Sequence, residues 1–187
     1  MSTEIDKMMY SFVMEDVLKG ITIYVPPGYV AAVYDLGRGV LKRVYTPGLH
    51  LKIPFWQKAK LFNIQTLEYT IDDDFNPQMV RALGDKPIEG MTRDGSHIAV
   101  QGTVLLRLDV HQIPVIWQTI GEDFVQKIIR PTMRSRFRLI ASRFTYEEIA
   151  FTKRDVIEVE IKNELERIFY PRGIFVENVL LGRVDQV

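Results

Sequence analysis

The chain has 187 residues, 47% hydrophobic and 26% charged, with no low-complexity tract, which describes one globular domain or one domain with extensions. Lysine plus arginine equals aspartate plus glutamate at 24 each, so global charge gives no reason to expect nucleic acid as a partner. The absence of cysteine excludes disulfides, thiolate nucleophiles and cysteine-ligated zinc together, and no eighteen consecutive apolar residues mark a membrane span.

Residues 5 to 19 carry Ile5, Met8, Met9, Phe12, Val13 and Leu18 at mostly three- and four-residue spacing, the pattern of an amphipathic helix packed on the domain. The acids Glu4, Asp6, Glu15 and Asp16 stand just before it and along its polar face, whereas helices that lie on membranes are usually basic. From Ile21 the texture changes to short β-runs. ITIYV, the punctuation Pro26-Pro27-Gly28, YVAAVYDL, the turn Gly37-Arg38-Gly39 and VLKRVY predict an antiparallel meander. After Thr46-Pro47-Gly48, Leu49, Leu51 and Ile53 alternate with His50 and Lys52. In KLFNIQTLEYTI the phase slips by one residue, which predicts a bulge near Gln65-Thr66.

Residues 72 to 91 break the alternation with three successive aspartates, two prolines and two glycines, and read as a solvated connecting loop with one helical turn at most. Asp72, Asp73 and Asp74 lack the spaced oxygens and turn glycine of a calcium loop. The Asp94-Gly95 turn then starts the strongest β signal in the chain, His97 to Val110. Ile98, Val100, Val104, Leu106, Leu108 and Val110 fall on one side, and His97, Gln101, Thr103, Arg107 and Asp109 on the other. Such a strand is roughly 45 Å long at about 3.3 Å per residue, so a bend is expected, with Gly102 the natural place. Burying the six apolar side chains stabilises the fold by roughly 9–18 kcal/mol before chain entropy is subtracted.

Beyond this strand the period is helical. Residues 112 to 120 predict a short helix, and Gly121 separates it from a longer one with Phe124, Ile128, Phe137, Ile140 and Ala141 inward. Pro131 has no backbone N–H and crowds the preceding turn, so that helix kinks or restarts there. Thr145 with Glu148 and Thr152 with Asp155 have the capping-box spacing. The last helix, from about Lys153, places Ile157, Ile161, Leu165 and Ile168 on one stripe and ends at Pro171-Arg172-Gly173. IFVENVLL is strand-like and is expected to return to the sheet. The fold class is therefore α+β, a bent, mostly antiparallel sheet with helices in the C-terminal half.

Four pieces taken in order carry a resemblance: Pro26 to Gly28, Pro47-Gly48-Leu49-His50, Ile53-Pro54-Phe55 and Thr92 to Gly95. With the stretches around them, over roughly residues 21 to 183, they resemble the band 7 or SPFH domain, as found in stomatins, prohibitins and flotillins, and prohibitin-like members most closely. The resemblance implies a non-enzymatic, peripheral membrane-associated scaffold that assembles with itself into rings or cages, organises membrane microdomains and modulates membrane proteases or channels. It implies no cofactor and no metal. The family plan is an N-terminal anchor, this domain, then a long coiled coil. Residues 1–20 are instead an amphipathic segment without an apolar anchor, residues 21–187 are the domain, and the chain stops at Val187 where the coiled coil would begin. A rival expectation is a soluble oligomeric regulator that binds a protease or other client without lipid contact.

Two groups of residues are candidates for that work. Phe55, Trp56, Lys58 and Lys60 join two large aromatics to two lysines, a mixture suited to a lipid headgroup boundary. The competing reading is an aromatic plug closing the end of the sheet, with Phe55 the more buried of the two. Lys127, Arg130, Arg134 and Arg138 share one helical face, flanked by Arg136 and Arg143, and the last helix carries Glu158, Glu160, Glu164 and Glu166. A basic helix on one subunit meeting an acidic helix on its neighbour would make a directional oligomer contact; pairing within one chain is the alternative. His50, His97 and His111 are scattered, with no His-x-x-x-His, no Gly-x-Ser-x-Gly and no glycine-rich phosphate loop, so no catalytic constellation is legible. Glu147-Glu148 stand at a helix start, where acids favour the dipole.

Overall fold

The fold is seen in a computed structural model that describes residues 20–74 and 83–187. The amphipathic segment expected over residues 5 to 19 lies outside them. Eight short strands come first: β1 (Thr22–Val25), β2 (Tyr29–Asp35), β3 (Gly39–Val40), β4 (Gly48–Leu51), β5 (Gln57–Asn63), β6 (Leu67–Ile71), β7 (Leu83–Asp85) and β8 (Ile88–Met91). The long strand β9 (His97–Leu108) follows, then α1 (Ile113–Thr119), α2 (Arg130–Ala141), α3 (Arg154–Phe169) and the returning strand β10 (Ile174–Gln186).

β9 is the centre of the larger sheet, whose order is β10-β9-β6-β7, with β8 paired to the N-terminal part of β9. Its burial alternates along the whole strand as the period-two pattern requires, with Ile98, Val100, Val104, Leu106 and Leu108 all buried. Asp109 ends it, its carboxylate accepting from the His111 N–H at the start of a short 3-10 turn. The bend expected at Gly102 takes the form of a change of partners. β6 pairs as far as Gly102 and β8 takes over from Val100, while β10 shifts register opposite, between Leu181 and Val184. A Cβ at Gly102 would stand 2.6 Å from the Leu180 carbonyl oxygen, so only glycine fits this approach.

The helices cover one side of this sheet. Ile157, Ile161, Leu165 and Phe169 of α3 and Met133, Phe137 and Ile140 of α2 join the β9 and β10 side chains in one core. Pro131 acts as expected: a π-turn over Val125–Ile129 precedes α2, and the wider turn accommodates the proline's missing N–H. That insertion rotates the face by a residue, so Ile129 is fully buried and Ile128 only partly. At the end of α3 the inward stripe Ile157-Ile161-Leu165 continues at four-residue spacing to Phe169, which is buried, and Ile168 is only partly so.

The structure departs from the sequence reading in four places. β1 does not pair with β2; it pairs with β4 in a separate two-stranded sheet. Both edges of β2 are already occupied, one by β5 and the other by β3 and a bridge from Tyr45 to Ala31, so only the β2–β3 part of the meander forms. The phase slip at Gln65-Thr66 is a passage between sheets and not a bulge, because β5 belongs to the β3-β2-β5 sheet and β6 to the larger one. Within residues 72 to 91, β7 and β8 are ordered strands; a helical turn there would fall in residues 75–82, outside those described. Thr145 and Glu148 form the reciprocal capping box, at 3.3 and 3.0 Å. Thr152 does not cap α3, since it belongs to a π-turn over Glu148–Thr152 and Lys153 takes the cap position without a side-chain bond.

Candidate functional site

β2 ends at Asp35 beside Gln57, where β5 begins, and these two side chains build the end of the molecule. Asp35 is 1% exposed. Its Oδ1 accepts from the N–H groups of Gly37 (3.0 Å) and Arg38 (3.1 Å), and its Oδ2 accepts from Gln57 Nε2 (3.0 Å). Gln57 turns its Oε1 to the Ile53 N–H at 3.1 Å, and its own N–H donates to the Ile53 carbonyl at 2.9 Å. The buried pair therefore ties the turn after β2 to the turn before β5. The amide of Gln57, followed by the Gly37 and Arg38 N–H groups and the Arg38 charge, holds the Asp35 carboxyl below its ordinary pKa against the opposing effect of burial.

What this clamp presents is apolar. Phe55 is 99% exposed and sits at φ +60°, the left-handed region that a bulky residue rarely adopts. Trp56 is 51% exposed; its carbonyl accepts from the Leu36 N–H, and its ring lies against Gly37. Leu36 and Ile53 are exposed beside them. Phe55 is thus displayed where a plug would have buried it, because the Gln57–Ile53 bonds close the turn beneath it.

The β1–β4 sheet extends the surface. Tyr24 stands opposite Leu49, and Leu51 opposite Thr22, so Tyr24, Leu49 and Leu51 share a face, and all three are exposed, Leu51 at 72%. Val25, in the other phase, is buried, and His50 turns to stack on Tyr45 with ring centroids 4.6 Å apart. Apolar alternation here marks an outward face, not a core one. The stretch that builds it is basic: residues 36 to 67 hold Arg38, Lys42, Arg43, Lys52, Lys58 and Lys60 and no acid. Lys60 pairs with Glu122 and Arg38 with Asp35, whereas Lys42, Arg43, Lys52 and Lys58 have no ion pair among the described residues.

The second group of candidates has its partners within the chain. Arg134 makes a two-pronged bond to Asp85 at 2.6 and 2.8 Å, Arg130 lies 3.5 Å from the same carboxylate and donates to the Gly84 carbonyl, and Arg138 donates to the Glu89 carbonyl. Lys127 donates to the Ile120 carbonyl. Glu158 accepts from the Leu181 N–H at 2.7 Å, Glu160 pairs with Arg143, and Glu164 lies 3.7 Å from Arg136. The basic and acidic helices do meet, but inside one molecule. Among the described residues no group of three histidines, aspartates or glutamates is arranged to hold a metal ion.

Asp35 and Gln57 were not legible as site residues. An aspartate two residues before glycine does hint at the turn it makes. Nothing local marks Gln57, whose role depends on a strand partner twenty-two residues away.

These features define an α+β domain with an outward apolar tip built from a basic stretch of the chain. Residues 23–186 match the model of the SPFH domain / Band 7 family, and the chain belongs to that family. It is 26% identical over 155 residues to Prohibitin-1 of Schizosaccharomyces pombe, covering 83% of this chain and 49% of that one. It is 24% identical over 157 residues to Prohibitin 1 of Mus musculus (84% and 52%) and 23% identical over 152 residues to Prohibitin-2 of Saccharomyces cerevisiae (81% and 44%). The chain spans about half the length of these relatives. Family membership supports a scaffold-type role. No helix among the described residues is long and apolar enough to cross a membrane.

Proposed function

We propose that this domain is the non-enzymatic, membrane-facing module of a self-assembling scaffold that organises membrane microdomains and modulates membrane proteins, seated on the bilayer by its tip. The observation that carries this reading is the outward display of Phe55 and Trp56, with Leu36 and Ile53, by the buried Asp35–Gln57 clamp. A large apolar side chain held in water at 99% exposure gains nothing within the chain, and exposed aromatic rings on a basic stretch of chain suit the boundary between headgroups and acyl chains. Lys58 takes the place of a headgroup contact. Lys60 is a weaker one, being paired with Glu122.

The test uses Trp56 as its own probe, with Trp117 changed to Phe so that one indole reports. Adding phospholipid vesicles is expected to blue-shift the emission, and Phe55→Ser with Trp56→Ser is expected to abolish co-sedimentation with the vesicles. Unchanged emission, or undiminished co-sedimentation of the double variant, would overturn the assignment in favour of a regulator that binds its client without lipid.

A further inference from the structure

On the opposite type of surface, between α2 and α3, lies an open groove of about 720 Å³ that the tip and its chemistry do not explain. Arg136, Arg167 and Arg172 line it. Among the described residues, the one carboxylate within 4 Å of any of the three is that of Glu164, shared between Arg136 at 3.7 Å and Arg167 at 3.4 Å. The groove therefore carries two positive charges beyond its own counter-charge.

The three guanidiniums are also underused as donors. Arg136 Nε is enclosed with no hydrogen-bond acceptor among the described residues, a deficit worth explaining in a side chain only 30% exposed. Arg172 uses Nη1 on the Ile168 carbonyl at the end of α3, which leaves most of its five N–H donors for something else. On the other flank of α2, by comparison, Arg134 is bound two-prongedly by a carboxylate of its own chain, Asp85. The hydroxyls of Thr132 and Ser135 add two further polar groups to the lining.

We infer that the α2–α3 groove binds carboxylate side chains of an acidic segment from a partner protein. Arginine forks match planar carboxylates two-prongedly, and Glu164, with one oxygen 3.7 Å from Arg136 and 3.4 Å from Arg167, shows a carboxylate accommodated between two of them. Pro131, Ile168 and Pro171 supply apolar lining between the arginines, which suits the aliphatic stems and neighbours of glutamates in a peptide better than a bare anion. A groove between two helices also receives a peptide more readily than the flat face of a bilayer. The site shares no residue with the tip, so it stands whether or not the tip meets lipid.

The experiment measures anisotropy of a labelled helical peptide rich in glutamate, with its all-glutamine counterpart as control, against the whole chain at low salt. Saturable binding of the glutamate peptide alone is expected, weakening as salt is added. Arg167→Glu with Arg172→Glu is expected to lower affinity at least about tenfold, while Lys58→Glu at the tip leaves it unchanged. Circular dichroism checks that the double variant is folded, as it should be with both side chains at the surface. Equal binding of the glutamine peptide, an equal loss in Lys58→Glu, or no loss in the double variant would overturn the assignment. Displacement of the peptide by inorganic phosphate, or anionic-vesicle binding that the double variant alone loses, would assign the groove to phosphate or lipid instead.

Discussion

Gln57 is the residue on which the tip depends. Its side chain bonds both the Ile53 N–H and the Asp35 carboxylate, so Gln57→Leu leaves one backbone donor and one buried carboxylate short of partners. Orphaning such a donor costs about 1–3 kcal/mol, and a loss of that size in denaturant unfolding is expected. The variant should also change the acid limb. Because the folded Asp35 pKa is depressed, its contribution to stability is complete above the ordinary aspartate pKa and disappears as pH falls through the folded value. Removing the Gln57 amide, the largest cause of that depression, should move acid unfolding to higher pH. An acid limb that does not move, measured beside wild type, would show that the clamp does not hold the carboxylate. At the same scale, the sequence exposed the tip's aromatics and lysines but misjudged Phe55. Whether an aromatic beside proline is buried or displayed depends on how the turn is closed, here by the Gln57–Ile53 bonds and by the hold of Asp35, from another strand, on the Gln57 side chain.

At the scale of elements, two charged stripes are covers for sheet edges. Arg130, Arg134 and Arg138, four residues apart along the start and length of α2, bond Gly84, Asp85 and Glu89 on β7 and β8. Arg154, Glu158 and Lys162 of α3 do the same for the outer edge of β10: Arg154 donates to the Leu181 and Gly182 carbonyls, Glu158 accepts from the Leu181 N–H, and Lys162 donates to the Glu177 carbonyl. An uncovered edge offers unpaired donors and acceptors to other chains. Arg154→Ala with Glu158→Ala is therefore expected to aggregate at a lower temperature than wild type in a light-scattering melt, and an unchanged onset would mean the edge is protected otherwise. From sequence the arginine face and the glutamates of α3, Glu158 among them, read as well as an oligomer contact as an internal one. Spacing places residues on a face of a helix; it does not say what that face meets.

For the whole molecule, the intrachain pairing changes what charge reversal should do. Arg134→Glu leaves the buried Asp85 facing a like charge, with Arg130 at 3.5 Å as the remaining cation. Loss of this partly exposed pair is expected to cost about 1–3 kcal/mol of stability with the solution mass unchanged. A fall in mass at unchanged stability would restore the inter-subunit role for this residue. Much of the architecture was legible without coordinates: the β9 alternation, the restart of the helix at Pro131, the capping box at Thr145 and the return of β10 all follow from local rules. Periodicity and turn chemistry act within a few residues, so one chain stretch suffices to determine them. What only the tertiary structure decided were pairings between distant stretches. β1 joined β4 because both edges of β2 were taken, the Leu49 and Leu51 face turned to solvent because that small sheet packs on its other side, and the arginines of α2 found carbonyls and a carboxylate on β7 and β8. Each depends on which surfaces remain free after the rest of the chain has packed, and that is a property of the whole fold.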